Sequence, residues 1–301
     1  MNAETNLNDF VDSFLAEQSS NPPPMLWHYT NTRGMLGILR SGNLWATHTA
    51  FLNDASEMRY VGLPLRRTIE KLISETKDLL DRQFLREMRD QLLNSLRHTC
   101  VVSFSAIKNE LSQWRAYGGE SGSFALGFNP AILQKYSSQQ KITGFNLYKC
   151  VYEDTEHSAL CKNLVSAALQ EFQKTVNTEE DAAKESPRIY QEAYECFRKI
   201  APLIKHPDFK QEEEWRLVSE VLDLKARPFH FREGKTCAVP YIEFSLLDEQ
   251  PENTNQAPNC VYLLSGPPQA HSANVLPLGH CADFKLQPSS IEPSLTPYRN
   301  V

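Results

Sequence analysis

The chain has 301 residues, 41% hydrophobic and 23% charged, an ordinary globular balance with room for one large domain or two modest ones. A formal net charge of −6 argues against a broad nucleic-acid-binding surface while leaving room for a local basic groove. No run approaches the roughly 18 apolar residues of a membrane span, and the opening "MNAETNLNDFVDSFLAEQSS" is acidic and amphipathic, unlike a signal peptide.

Residues 5–18 read as a short amphipathic helix, and "SSNPPP" after it must leave helical geometry. "MLWHYT" (25–30) alternates as a strand, with Trp27 and Tyr29 on one face and His28 and Thr30 on the other. Residues 31–41 form a helix with Met35, Leu36 and Leu39 on its apolar face, ended by Gly42. "NLWAT" is the next strand.

Apolar residues then recur at three- and four-residue spacing from Leu65 to Leu96, which predicts one long helical region over about 65–97. "CVVSFSA" is a strong strand, and "ELSQWRAYGG" a short helix stopped by Gly118 and Gly119. "SFALGF" and "FNLYKCVY" are strands. Two helices fill 158–177 and 187–200, the second opened by Ser186 as cap and Pro187 at its first turn.

From Glu214 onward the chain turns β-rich, with "EWRLVSEV", "RPFHFRE", "AVPYIEFSLL" and "NCVYLLSGP" as strands. The class is α+β, a mixed or antiparallel sheet core with helical segments packed around it. The organisation this implies is an N-terminal helix over 1–20 and a single domain over 21–301, with helical insertions at about 55–98 and 155–205. No Gly-rich phosphate loop follows a strand, so Rossmann and P-loop readings have no support.

The seven cysteines (Cys100, Cys150, Cys161, Cys196, Cys237, Cys260 and Cys281) are scattered and never form C-x-x-C. That excludes the usual zinc spacings and a compact disulfide framework, and no metal is expected. "TCVVSF" and "NCVYLL" use cysteine as a small core residue, so a reducing cytoplasm is the natural compartment.

Four segments carry candidate chemistry. His28 ends a strand directly before a helix, where a side chain either contacts a ligand or caps locally. Asn53, Asp54 and Glu57 in "FLNDASEM" fit a turn and a capping box, which explains both their types and spacing. Ser103 and Ser105 share a strand face and bind either a polar ligand or neighbouring backbone. Trp114 and Tyr117 lie one helical turn apart with Arg115 off that face; Trp114 reads as a packing anchor and Tyr117, beside two glycines, as a ligand contact.

"QEEEWRLV" (211–218) puts three carboxylates against an apolar strand. If the strand begins near Glu212, a period of two places Glu212 and Glu214 on one face and leaves Glu213 as solvent filler. Mutual repulsion would raise one pKa, and such a pair suits a site where positive charge develops. The alternative is a frayed strand end whose carboxylates pair with Arg216 or Lys210.

Taken in order, "HYT", "FLNDASEM", "SFSA", "LSQWRAYG", "FALGF", "EEEWRLV" and "TPYR" resemble a bacterial domain-of-unknown-function 2971 family, from about residue 26 to the C-terminus. That family in turn is similar, by motif order, to the ADP-ribosyltransferases. The resemblance implies an ADP-ribosyltransferase-like sheet core and NAD as substrate. It implies an unknown macromolecular acceptor or water, a cytoplasmic setting, and a toxin or phage-defence role. His28, Tyr29 and Thr30 match the first motif, where the histidine holds the NAD ribose. Ser103 and Ser105 match the second less closely, because Phe104 replaces a common Thr. Glu214 matches the catalytic glutamate, with Glu212 as the preceding member; Tyr117 or Phe104 would stack on nicotinamide, and Arg115 lies nearby. Alternatives are a non-catalytic nucleotide- or protein-binding module, or an RNA 2′-phosphotransferase-like activity that expects paired arginines, here Arg115 and Arg216.

Overall fold

A computed structural model of the chain describes residues 6–52, 57–94, 99–117, 122–220, 222, 229–234, 236–247, 261–267, 278 and 281–294. The helices are α1 (Leu7–Ser19), α2 (Thr32–Ser41), α3 (Glu57–Glu75), α4 (Leu79–Asn94), α5 (Leu111–Tyr117), α6 (Pro130–Ser137), α7 (Asp154–Thr175) and α8 (Glu179–Ile200). The strands are β1 (Leu26–Asn31), β2 (Asn43–His48), β3 (Cys100–Ser105), β4 (Ser123–Phe128), β5 (Phe145–Lys149), β6 (Glu214–Ser219), β7 (His230–Glu233), β8 (Ala238–Ser245), β9 (Val261–Ser265) and β10 (Pro288–Pro293). The α+β class holds. No described helix is long and apolar enough to cross a membrane.

The chain divides into two compact units. The first joins Met1–Ser20, Thr49–Thr99 and Cys150–Lys210 and is helical, with α7 packed on α8 and α3, and α4 on α3 and α8. Its core follows from helical spacing: Leu65 and Ile69 on α3, Phe84, Leu85 and Met88 on α4, and Leu164, Val165 and Phe172 on α7 are all buried. Phe84 stacks on Phe172 with ring centroids 4.2 Å apart and on Tyr190 at 5.0 Å. Tyr60 on α3 hydrogen-bonds Asp154 (2.7 Å) and His157 (3.1 Å), tying α3 to α7.

In this unit α3 begins at Glu57 rather than near 65 and α7 at Asp154 rather than 158, and two further departures from the sequence reading have a local cause. The periodicity over 65–97 is divided between α3 and α4, because Asp78 turns its carboxylate onto the amides of Leu80 (2.9 Å) and Asp81 (3.0 Å) and starts a new helix. The helix expected from Pro187 begins at Glu179 instead. A reciprocal capping box of Thr178 and Asp181 satisfies its first amides. Pro187 therefore sits inside α8, with Ser186 buried rather than capping, and packing against α7 and α4 holds the helix together around it. The Asn53–Asp54–Glu57 capping assignment lies outside the described residues and side chains.

The second unit, Asn21–His48, Cys100–Lys149 and Gln211–Val301, carries the sheet. Its strands run β10-β9-β4-β1-β3-β2-β8-β7, with β6 on the other edge of β3 and β5 beyond β6; among the described strands only β10 and β9 pair in parallel. One face buries Leu26, Phe104, Leu126, Trp215, Leu44, Ala46, Ile242 and Phe244, covered by Met35, Ile38 and Leu39 of α2 and by Leu133 and Tyr136 of α6. The other face has a smaller cluster, Trp27, Tyr29, Ala125 and Leu264, closed by Trp114 of α5. The helix α6, capped by Asn129 and opened by Pro130, and the strand β10 add to the elements legible from periodicity.

Gly42 ends α2 in the left-handed region (φ 75°), as its position predicts. The strand after "QEEE" starts later than expected. Pro207–Glu212 is a 3-10 turn, Glu213 is left-handed (φ 41°), and β6 begins at Glu214. Glu212 and Glu214 therefore do not share a strand face, because no strand runs through Glu212.

Candidate functional site

The sheet parts at β3. One edge of this strand pairs with β2 at Cys100 and Val101 and with β1 at Ser105, so between them the edge at Val102–Phe104 has no strand partner. Its other edge pairs with β6 throughout, Ser105 opposite Glu214, Phe104 opposite Trp215 and Ser103 opposite Arg216.

His28 serves the open stretch. Its Nδ1 lies 2.9 Å from the carbonyl oxygen of Ser103. A carbonyl only accepts, so Nδ1 carries the proton and donates it, which makes Nε2 the lone-pair nitrogen of the neutral ring. Burial lowers the imidazole pKa below its ordinary value, against the smaller opposing pull of the Ser103 carbonyl. Phe104 packs edge-on to the ring, centroids 5.8 Å apart. None of the described residues engages Nε2, and the side chain is only partly buried. His28 thus presents a hydrogen-bond acceptor where the strands separate.

Glu214 is in a different situation. It is 4% exposed, and both its oxygens accept from Arg216, Oε1 from Nε at 2.7 Å and Oε2 from an Nη at 3.1 Å. Residues two apart on a strand share a face, so "E-x-R" builds a bidentate pair without help from another element. This is the pairing with Arg216 that the sequence offered as the alternative to catalysis.

Strand alternation then separates the expected site. Ser103, Ser105, Glu214 and Arg216 share one face with Trp27 and Tyr29, whereas His28, opposite Phe104, lies on the face of Phe104 and Trp215. Ser105 and Glu214 are brought together; His28 is not brought to them. Thr30 is in phase with His28, and its hydroxyl stands where a Cβ on Gly34 of α2 would lie, so a larger residue there would have to displace it.

Several expected ligand contacts are engaged with the protein. The Ser105 hydroxyl donates to the Glu212 carbonyl (2.7 Å) and accepts from the Ile107 amide (3.0 Å), fixing the turn before β6 to the end of β3. Tyr29 donates to the Ile107 carbonyl (2.9 Å) and accepts from the Glu110 amide (2.9 Å), and burial pushes its pKa up to about 12. Trp114 is the expected anchor, edge-on to Tyr29 at 4.8 Å; Tyr117 packs partly buried against the same cluster, and Arg115 on α5 is exposed. Ser103 is partly buried and its carbonyl, not its hydroxyl, meets His28. The arginine pair expected of a phosphotransferase is not assembled from Arg216, which is bound to Glu214.

Glu213 is the residue that period-two counting missed. It is exposed, in the left-handed region, and its carbonyl accepts from the Ala106 amide (3.1 Å), continuing the β3–β6 pairing one step. The left-handed backbone at Glu213 breaks strand alternation there, so its exposed side chain leaves the turn just before β6 rather than from a face of the sheet. Its isolation between two other glutamates gives no signal for this. Among the described residues, no group of three or more His, Cys, Asp or Glu side chains is placed to hold a metal ion.

Residues 113–217, about a third of the chain, match a family described as "Protein of unknown function (DUF2971)". The match runs from α5 to β6 and contains Tyr117, Glu212, Glu213, Glu214 and Arg216. No curated protein and no solved structure matches the chain, so the likeness to the ADP-ribosyltransferases stands on motif order alone.

Proposed function

We propose that this chain binds NAD and breaks its nicotinamide–ribose bond, passing ADP-ribose to a macromolecule or to water. One observation carries the reading: a neutral His28, with its tautomer set by the Ser103 carbonyl, offers Nε2 to a ligand hydroxyl at the split in the sheet. A ribose hydroxyl is a matching donor. In the step proposed, the C1′–nitrogen bond breaks and its electron pair leaves with nicotinamide. The acceptor oxygen forms the new bond to C1′, and its proton passes to a carboxylate.

Glu213 is our choice for that carboxylate. Glu214 is neutralised by Arg216 on the face opposite His28, while Glu213, one residue earlier at the end of the β3–β6 pairing, is exposed. A negative charge beside the oxocarbenium-like transition state stabilises it more than the ground state. The six described free cysteines support a cytoplasmic setting, where NAD consumption would suit a toxin or phage-defence effector.

The test follows nicotinamide release from NAD. His28→Ala and Glu213→Gln are each expected to lower kcat by about 100-fold or more. Release by wild type falls as acid protonates Nε2, below the ordinary histidine range because the pKa is lowered. A wild-type rate in Glu213→Gln overturns that assignment. A second reading, NAD binding without turnover, is favoured by the neutralised Glu214. It predicts calorimetric binding that His28→Ala abolishes, with no nicotinamide released by any variant.

A further inference from the structure

The outer face of β2 and β8 carries a large aromatic that is only half covered. Leu44, Ala46, Ile242 and Phe244 point into the main core, so their neighbours Trp45, Tyr241 and Glu243 point away from it. Trp45 is 45% exposed, although it is the kind of side chain a fold normally buries. It stacks on Tyr241 (4.5 Å, 27°), and His230 lies on the far side of Tyr241 at 5.6 Å.

The register fixes what lies on the other side of the indole. Trp45 is opposite Glu243, Thr47 is opposite Tyr241, and Asn43 is opposite Ser245. Tyr241 therefore occupies the Thr47 side of the indole, Asn43 lies along β2 toward its other side, and Glu243 stands directly across the strand pair. Asn43 donates its amide to one Glu243 oxygen at 2.8 Å, which holds the carboxylate in place and leaves its other oxygen to accept.

The geometry points to a binding site for the guanine base of a free nucleotide, stacked on Trp45 on the side away from Tyr241 with its Watson–Crick edge toward Glu243. Guanine presents adjacent N1–H and N2–H donors, which a carboxylate pairs with directly. Adenine and cytosine each place a lone pair there, and uracil flanks its single donor with two carbonyls. The glutamate and the chain's net charge of −6 disfavour a longer nucleic acid, whose affinity rests on phosphate contacts. The site is on the opposite face of the sheet from His28 and stands independently of the NAD reading.

The other three tryptophans, Trp27, Trp114 and Trp215, are buried, so Trp45 is the fluorophore a stacked base quenches. Titration with GMP is expected to give saturable quenching that AMP does not match and that Trp45→Phe abolishes. Glu243→Gln weakens GMP by about 5- to 100-fold and narrows its lead over AMP. Equal quenching by GMP and AMP, or affinity for GMP unchanged in Glu243→Gln with the circular dichroism spectrum intact, overturns the proposal. Tighter binding of an RNA oligomer with an unpaired guanine than of GMP overturns the assignment to a free nucleotide.

Discussion

At the scale of single residues, Glu214 and Arg216 illustrate how one spacing supports two chemistries. A carboxylate two positions before an arginine reads as a catalytic group or as half of an ion pair, and the tertiary fold decides by burying both, at 4% and 3% exposure. Removing one partner leaves the other charged and desolvated, which costs about 3–5 kcal/mol, whereas replacing both with apolar groups is close to neutral. Glu214→Leu is therefore expected to lower the urea midpoint sharply, and Glu214→Leu with Arg216→Met to recover most of it. Equal midpoints for the single variant and wild type would show that the pair does not hold β6. His28 was legible as a candidate from its place between strand and helix, but its tautomer was not, because that depends on a carbonyl 75 residues away in sequence. Glu213 was not legible: a left-handed φ at a non-glycine residue has no signature in "EEE".

Elements were legible where local chemistry is unambiguous. Gly42 after an apolar-periodic segment specifies a helix end, and the structure uses it at φ 75° with Leu247 packed 2.7 Å from where a Cβ would stand. Gly42→Ala is expected to lose about 1–3 kcal/mol, part from the left-handed backbone and part from displacing Leu247. Thermal unfolding checks this, and a Tm equal to wild type would contradict it. Boundaries failed where two local signals compete. Ser186–Pro187 is a sound helix start, but Thr178–Asp181 is a better one with its cap at Thr178, before Ser186, and a proline inside a helix is tolerated when packing compensates. The strand at "QEEEWRLV" starts only at the last of the three carboxylates, Glu214, since a 3-10 turn ends at Glu212, whose carbonyl is tied to Ser105.

At the scale of the whole molecule, the helical unit is assembled from three separated stretches of chain. Helix α1 buries Leu7, Val11, Phe14 and Leu15 and packs on α7 and α8, where Asn8 donates to Glu192 at 2.8 Å. Phe14→Ala should cost about 3 kcal/mol, and deletion of residues 1–20 more, read as earlier loss of the helical circular dichroism signal on heating. A deletion variant that unfolds with wild type would show that α1 is dispensable to this unit.

The sequence by itself determined the α+β class, the order of most elements, the alternation that puts Trp27 and Tyr29 opposite His28, and the glycine stop of α2. Those features depend on period, capping and backbone conformation, which are local. Only the tertiary structure decided which side chains meet. Strand register, set by pairing between segments far apart in sequence, places Glu214 beside Ser105 and away from His28. It also sets Trp45, still half exposed, across from Glu243. Moving a register by one residue exchanges the two faces of a sheet, so no reading of one strand at a time could have settled either site.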